Sequence, residues 1–159
     1  DLWDRDAPLP EVLPTVYAAN EDRYAGYSLR KICNEMHDFY RNANVKELQR
    51  LCFRSSSFPE LAISSKSAYE ALVGNNVDYV SLEDARGRIS ATLALIYPPG
   101  IGVIVPGERW DDRAKPMRDY FLAFQESFNR FPGFNYEVQG VFQERVDGRI
   151  KFYTYVVRE

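Results

Sequence analysis

The stretch from Tyr97 to Trp110 constrains this chain more than any other, because two proline–glycine corners enclose a short apolar run within it. Proline fixes φ and removes a backbone donor, and glycine reaches dihedrals closed to other residues. The chain is therefore expected to turn sharply at Pro98-Pro99-Gly100, run as a strand over Val103–Val105, and turn again at Pro106-Gly107. Glu108 and Trp110 follow the second corner at once, which holds them on a stiff corner rather than a mobile loop. Such a corner suits lining an entrance or bracing a neighbour, and it performs no chemistry itself.

Around this corner the periodicity divides the chain. Residues 1–27 are punctuated by Pro8, Pro10 and Pro14 yet carry Trp3, Leu13, Val16, Tyr17, Tyr24 and Tyr27, too many large apolar groups for a free linker. This lead-in is expected to lie against the domain formed by residues 28–159 or against a missing one. Ser28 can cap a helix running to about Ala43, with Leu29, Ile32, Cys33, Met36 and Tyr40 on its buried face. Asn44, answered by Glu47, can cap a second short helix, and a third is predicted from Ser65 to Val73, stopped by Gly74-Asn75-Asn76. The period then changes. Val77–Leu82 and Arg88–Tyr97 read as a hairpin across Asp84-Ala85-Arg86-Gly87. A strong helix follows from about Ala114 to Arg130, with Met117, Tyr120, Phe121, Phe124, Phe128 and Phe131 as its core face. Tyr136–Arg145 and Arg149–Val157 form a closing hairpin. Helices first, then strands with one long packed helix, give an α+β class with a mostly antiparallel sheet.

Chemistry-bearing groups are sparse. The net charge of −3 argues against nucleic acid as the main ligand, and no apolar run approaches a membrane span. Cys33 and Cys52 lack metal spacing and read as reduced buried thiols. His37, the single histidine, lies between carboxylates in Glu35-Met36-His37-Asp38; with no second histidine or a cysteine at ligand spacing, a structural role outweighs a base or metal ligand. Gly100-x-Gly102 lacks the third glycine of a dinucleotide loop. Glu108 has two readings of equal weight: an acid at a pocket mouth that draws in a cation, or a turn-end carboxylate paired with Arg109 or Arg113. Asp111, Asp112, Arg113 and Lys115 read as a solvated helix start.

Several motifs, in order along the chain, resemble the C-terminal domain of the bacterial ornithine/lysine/arginine decarboxylases. They are Tyr24-Ala25-Gly26-Tyr27, Glu35-Met36-His37-Asp38-Phe39-Tyr40, Phe58-Pro59, Tyr97-Pro98-Pro99-Gly100, Pro106-Gly107-Glu108 and Pro132-Gly133-Phe134 with Gln139-Gly140-Val141. Trp110 after Arg109 is more similar to the ornithine branch. The resemblance implies a complex α+β fold and a large cytoplasmic parent enzyme, dependent on pyridoxal phosphate, that decarboxylates a basic amino acid; for ornithine the products are putrescine and carbon dioxide, in polyamine metabolism. In that family the cofactor lysine directly follows a histidine, whereas His37 precedes Asp38, so the resemblance places the cofactor lysine outside this chain; no catalytic residue carries over to it, and no metal is expected. Its implied partners are the cofactor-binding domain of its own full-length chain and a second subunit. By the same resemblance Tyr97, Pro99, Gly100, Pro106, Gly107, Glu108 and Trp110 are candidates for the surface facing the rest of the enzyme, where the domain would shape the active-site entrance and the assembly. Two rivals stand beside this. One is a stand-alone regulatory or ligand-binding module of the same fold, and the other a small enzyme built on His37 with Glu35 or Asp38. Asp1 in first place fits an excised piece of a longer chain.

Overall fold

The computed structural model describes residues 1–97 and 100–159, and Pro98 and Pro99 of the first corner lie outside them. Three short helices open the chain: α1 (Leu9–Val12), α2 (Pro14–Ala19) and α3 (Glu21–Tyr24). They fold back because Leu9 N–H donates to Tyr27 O and Leu29 N–H to Ala7 O, each at 2.9 Å. This seats Leu9 and Tyr24 with Ile32 of α4 (Leu29–Asn42) and Phe131, all fully or almost fully buried. Glu35 of α4 ties the same region by charge: it accepts from Tyr27 Oη at 2.7 Å, Arg23 at 2.9 Å and Arg130 at 3.2 Å.

Ser28 caps α4 as expected, accepting from Lys31 N–H at 3.2 Å. Asn44 does not cap α5 (Val45–Cys52) with its side chain. It takes a left-handed φ of 56°, and Glu47 turns outward to Arg50 at 2.7 Å instead of back to the cap. The helix α6 (Ser65–Val73) spans the predicted residues, but Asn75, not Gly74, supplies the left-handed residue (φ 57°). Asn75 N–H then bonds Leu72 O at 3.1 Å and Asn76 N–H bonds Ala71 O at 2.8 Å, which satisfies two of the last carbonyls. Cys52 is buried, but Cys33 is exposed on the outer face of α4, contrary to expectation, and both thiols are free. Cys33 follows Ile32 directly, and neighbouring helix positions point about 100° apart.

The sheet differs most from expectation. The strand β1 (Val77–Ser81) pairs antiparallel not with the following segment but with β5 (Arg149–Val157), which also pairs β4 (Phe142–Val146), in the order β1-β5-β4. The turn after β1 does reverse the chain, yet Ile89–Ala91 run alongside the end of β5 that β4 leaves free: Val157 N–H donates to Ile89 O at 2.8 Å and Ala91 N–H to Tyr155 O at 3.0 Å. Only β2 (Leu95–Tyr97) of the expected second strand is regular, and it pairs with β3 (Glu137–Gln139). The expected strand 136–145 breaks after β3, at Gly140. A Cβ at Gly140 would lie 2.0 Å from Leu93 O, so the chain crosses there too closely for any side chain. Val103–Val105 is likewise reduced to one bridge, Ala94 with Ile104.

The helix α7 (Lys115–Arg130) lies between α5 and β5 with Met117, Phe121, Phe124 and Phe128 in the main core. Beyond the end of β1, its amide side chains do the work of a neighbouring strand. Gln125 accepts from Phe152 N–H at 2.6 Å, and Asn129 both accepts from Ile150 N–H at 2.7 Å and donates to Ile150 O at 2.8 Å. Backbone groups of β5 that would otherwise be left unpaired are thereby satisfied.

Candidate functional site

The segment entered after Pro99 is built into the domain from several sides. Val103 N–H donates to Ala94 O at 2.8 Å, Gly107 N–H to Ser90 O at 2.8 Å, and Arg109 N–H to Glu60 O at 2.9 Å. Gly107 O accepts in turn from Ala62 at 2.9 Å and Ile63 at 3.3 Å. This crossing explains the glycine: φ is 94°, and a Cβ would sit 2.3 Å from Ile63 O. Glu108 closes the second corner from within, its Oε2 accepting from Val105 N–H at 2.8 Å. Burial pushes its carboxyl above the ordinary range, against that hydrogen bond. It makes no ion pair among the described residues, because Arg109 pairs with Glu60 and Glu159 and Arg113 pairs with Asp111. The reading of Glu108 as paired with Arg109 or Arg113 is therefore not met: it braces a turn. Asp111 also does more than solvate a helix start, since it accepts from Glu60 N–H at 3.1 Å and from Ala114 N–H at 3.0 Å, joining the loop before α6 to the start of α7.

The seven candidate surface residues separate. Tyr97 is 54% exposed and Gly100 half-exposed beside it. Pro106 and Glu108 are half-buried, and Pro99 falls outside the described residues. Gly107 is buried, and Trp110 is 0% exposed, edge-on to Phe121 at 6.5 Å. Those two positions cannot face another domain. Trp110 serves as core because its backbone is held between Arg88 and Gly87, donating to Arg88 O at 2.9 Å and accepting from Gly87 N–H at 2.7 Å, which turns the indole inward.

His37 is exposed, with its Nε2 2.6 Å from the Arg41 guanidinium. Among the described residues no group of three side chains could hold a metal ion, and no helix is long and apolar enough to cross a membrane.

Sequence reasoning missed a groove. Between α5 and Ile101 lies a hollow of about 620 Å³ lined by Tyr40, Arg41, Lys46, Arg50, Phe53 and Ile101. It adjoins a second of about 390 Å³ reaching His37 and Val45. A third, of about 210 Å³, reaches Ile96, Tyr120, Phe124 and Tyr136. Tyr40 lines all three, and its hydroxyl lies 2.6 Å from Ser127 Oγ on α7. Exposed Phe53 and Ile101, distant in sequence, were the available signal, but only the fold brings them together.

Comparison with known proteins places the chain. Residues 46–158 match the family described as Orn/Lys/Arg decarboxylase, C-terminal domain. The chain belongs to this family. It is 46% identical over 99% of its length to the inducible ornithine decarboxylase of Escherichia coli and 47% identical over 98% to the ornithine decarboxylase of Haemophilus influenzae. The lysine decarboxylase LdcA of Pseudomonas aeruginosa is 40% identical over 87% of the chain. Among solved structures, lysine decarboxylase A from Pseudomonas aeruginosa superposes with a TM-score of 0.88 over 99% of the chain at 30% identity. The chain spans 21% of the length of both ornithine decarboxylases and of that solved chain. The α+β fold expected from the residues is the fold of this decarboxylase domain.

Pyridoxal phosphate, which the family resemblance implies, does not fit the residues present. A Schiff-base lysine works from an enclosed pocket, and all five lysines, Lys31, Lys46, Lys66, Lys115 and Lys151, are exposed.

Proposed function

We propose that residues 1–159 are the C-terminal domain of a cytoplasmic, pyridoxal-phosphate-dependent ornithine decarboxylase that converts L-ornithine to putrescine and carbon dioxide in polyamine metabolism. One observation carries this reading: identity is 45–47% to three ornithine decarboxylases, against 40% for the lysine decarboxylase LdcA of Pseudomonas aeruginosa, 33% for the Escherichia coli biodegradative arginine decarboxylase and 25% for its constitutive lysine decarboxylase.

In this reading the domain holds no reacting group. It completes an entrance and buries surface against the cofactor-binding part of its own polypeptide and a second subunit. Exposed Tyr97 and Ile101, both large apolar groups, support that role. Residues 1–27 are read as the lead-in from the preceding part and residues 28–159 as the domain proper. The test is steady-state kinetics of the full-length protein with ornithine, lysine and arginine in the presence of pyridoxal phosphate. Ornithine is expected to give the highest kcat/KM, and a preference for lysine or arginine overturns the reading.

A further inference from the structure

We propose that the groove between α5 and Ile101 is filled by an acidic segment, with an apolar anchor, from the part of the same polypeptide outside residues 1–159. The inference rests on the reading of this chain as one domain of a longer decarboxylase and names what that domain grips.

The groove has two chemistries at once. Its floor is apolar, with Tyr40, Phe53 at 44% exposure and Ile101 at 54%. Water left on such a floor costs free energy that a buried side chain would recover. Its rim is basic. Arg41, Lys46 and Arg50 stand against a single carboxylate, Glu47, which Arg50 already engages. Lys46 is exposed and takes part in none of the ion pairs among the described residues, while Arg41 reaches Asp38 only at 3.8 Å. This excess of cations is local, because the chain as a whole carries a net charge of −3. A basic rim favours an acidic partner.

Length and shape locate the occupant. The chain spans 21% of the length of its ornithine decarboxylase relatives, so on the decarboxylase reading most of the polypeptide remains to be packed against it. The groove is open along its side rather than enclosed, with exposed Ile101 at its edge. A chain segment can lie along such an open floor and reach the basic rim at once.

Chemical footprinting of the full-length enzyme tests this. Lys66 on α6, with its side chain 84% exposed, is the internal reference. Under native conditions acetylation of Lys46 is expected to be at least about ten-fold slower than that of Lys66, as for a group inside a water-excluding contact. In denaturant the two rates should become equal. Zero-length carbodiimide coupling should join Lys46 to an Asp or Glu outside residues 1–159. In enzyme assembled from mixed unlabelled and heavy-isotope-labelled chains, the joined peptides should carry matching isotopes. Equal native rates overturn the proposal. So does protection without a carboxylate cross-link, which removes the acidic occupant. Isotope-mixed cross-links also overturn it, because they place another subunit in the groove. An enzyme that decarboxylates ornithine but leaves Lys46 as reactive as Lys66 refutes this inference alone. Protection and cross-linking in a protein without ornithine decarboxylase activity refutes the functional reading alone.

Discussion

Gly107→Ala isolates the crossing on which the second corner depends. Two costs add at this position. A non-glycine residue forced to a left-handed φ loses roughly 1–2 kcal/mol. The new Cβ would also meet Ile63 O at 2.3 Å and Ser64 C at 3.2 Å. These are backbone atoms and cannot swing aside like a side-chain tip. The Ile63 backbone is also bonded to Gly107 O itself, so retreat breaks the contact that defines the crossing. Overpacking of this kind costs about 1–3 kcal/mol, giving a total of about 2–5 kcal/mol. Gly87→Ala is the control, with φ 80° and nothing within 4 Å of its Cβ, so it bears only the first cost. For a domain of this size Gly107→Ala should lower Tm by about 10 °C and Gly87→Ala by about 4 °C. Thermal unfolding followed by circular dichroism gives Tm, and urea denaturation gives the free energy, for both variants. Destabilisation of the two variants within about 0.5 kcal/mol of each other would show that the close approach contributes nothing, and the argument for the stiff corner would fail.

Further outcomes follow from the same structure. Burial and the hydrogen bonds from Tyr27, Arg130 and Arg23 act in opposite directions on Glu35, and the hydrogen bonds prevail, so its carboxyl lies below its ordinary 4.5. A lowered carboxyl adds stability above the unfolded value near 4.5 and loses it as pH falls through the lower folded value. Glu35→Gln should therefore cost about 1 kcal/mol at neutral pH and flatten acid unfolding below that point, read from Tm against pH. Burial pushes the Cys52 thiol up to about 12, so a thiol reagent should label one cysteine, the exposed Cys33, in the folded chain and both in denaturant, counted by mass spectrometry. Tyr40→Phe leaves Ser127 Oγ buried without the Tyr40 hydroxyl and should cost about 1 kcal/mol in urea denaturation, while Ser127→Ala alone should cost a similar amount.

The local elements were legible because their causes are local. Ser28 before a helical stripe marks the start of α4, the apolar face from Met117 to Phe128 marks α7, and Asp147-Gly148 marks the β4–β5 turn. Each depends on residues within a turn or two of one another. The choice of strand partners does not. Period-two alternation at Val77–Ser81 says that a strand exists, but β1 finds β5 some seventy residues away because both bury the same apolar face against α6 and α7. The candidate surface failed in part for a related reason. Proline and glycine report that the backbone turns, not which side chain the turn directs inward, so Trp110 looked like an exposed marker and is core. The groove was hidden more completely, since Tyr40, Lys46, Phe53 and Ile101 share no motif.

By itself, then, the amino-acid order determined helices α4 to α7, the Ser28 cap of α4, the aromatic core face and, through its ordered motifs, the decarboxylase family. Only the tertiary structure decided the sheet order, the inward turn of Trp110 and the basic-rimmed groove. Those depend on which distant segments meet, and pairwise contact across a folded chain is set by the total burial of all its faces together rather than by any one stretch.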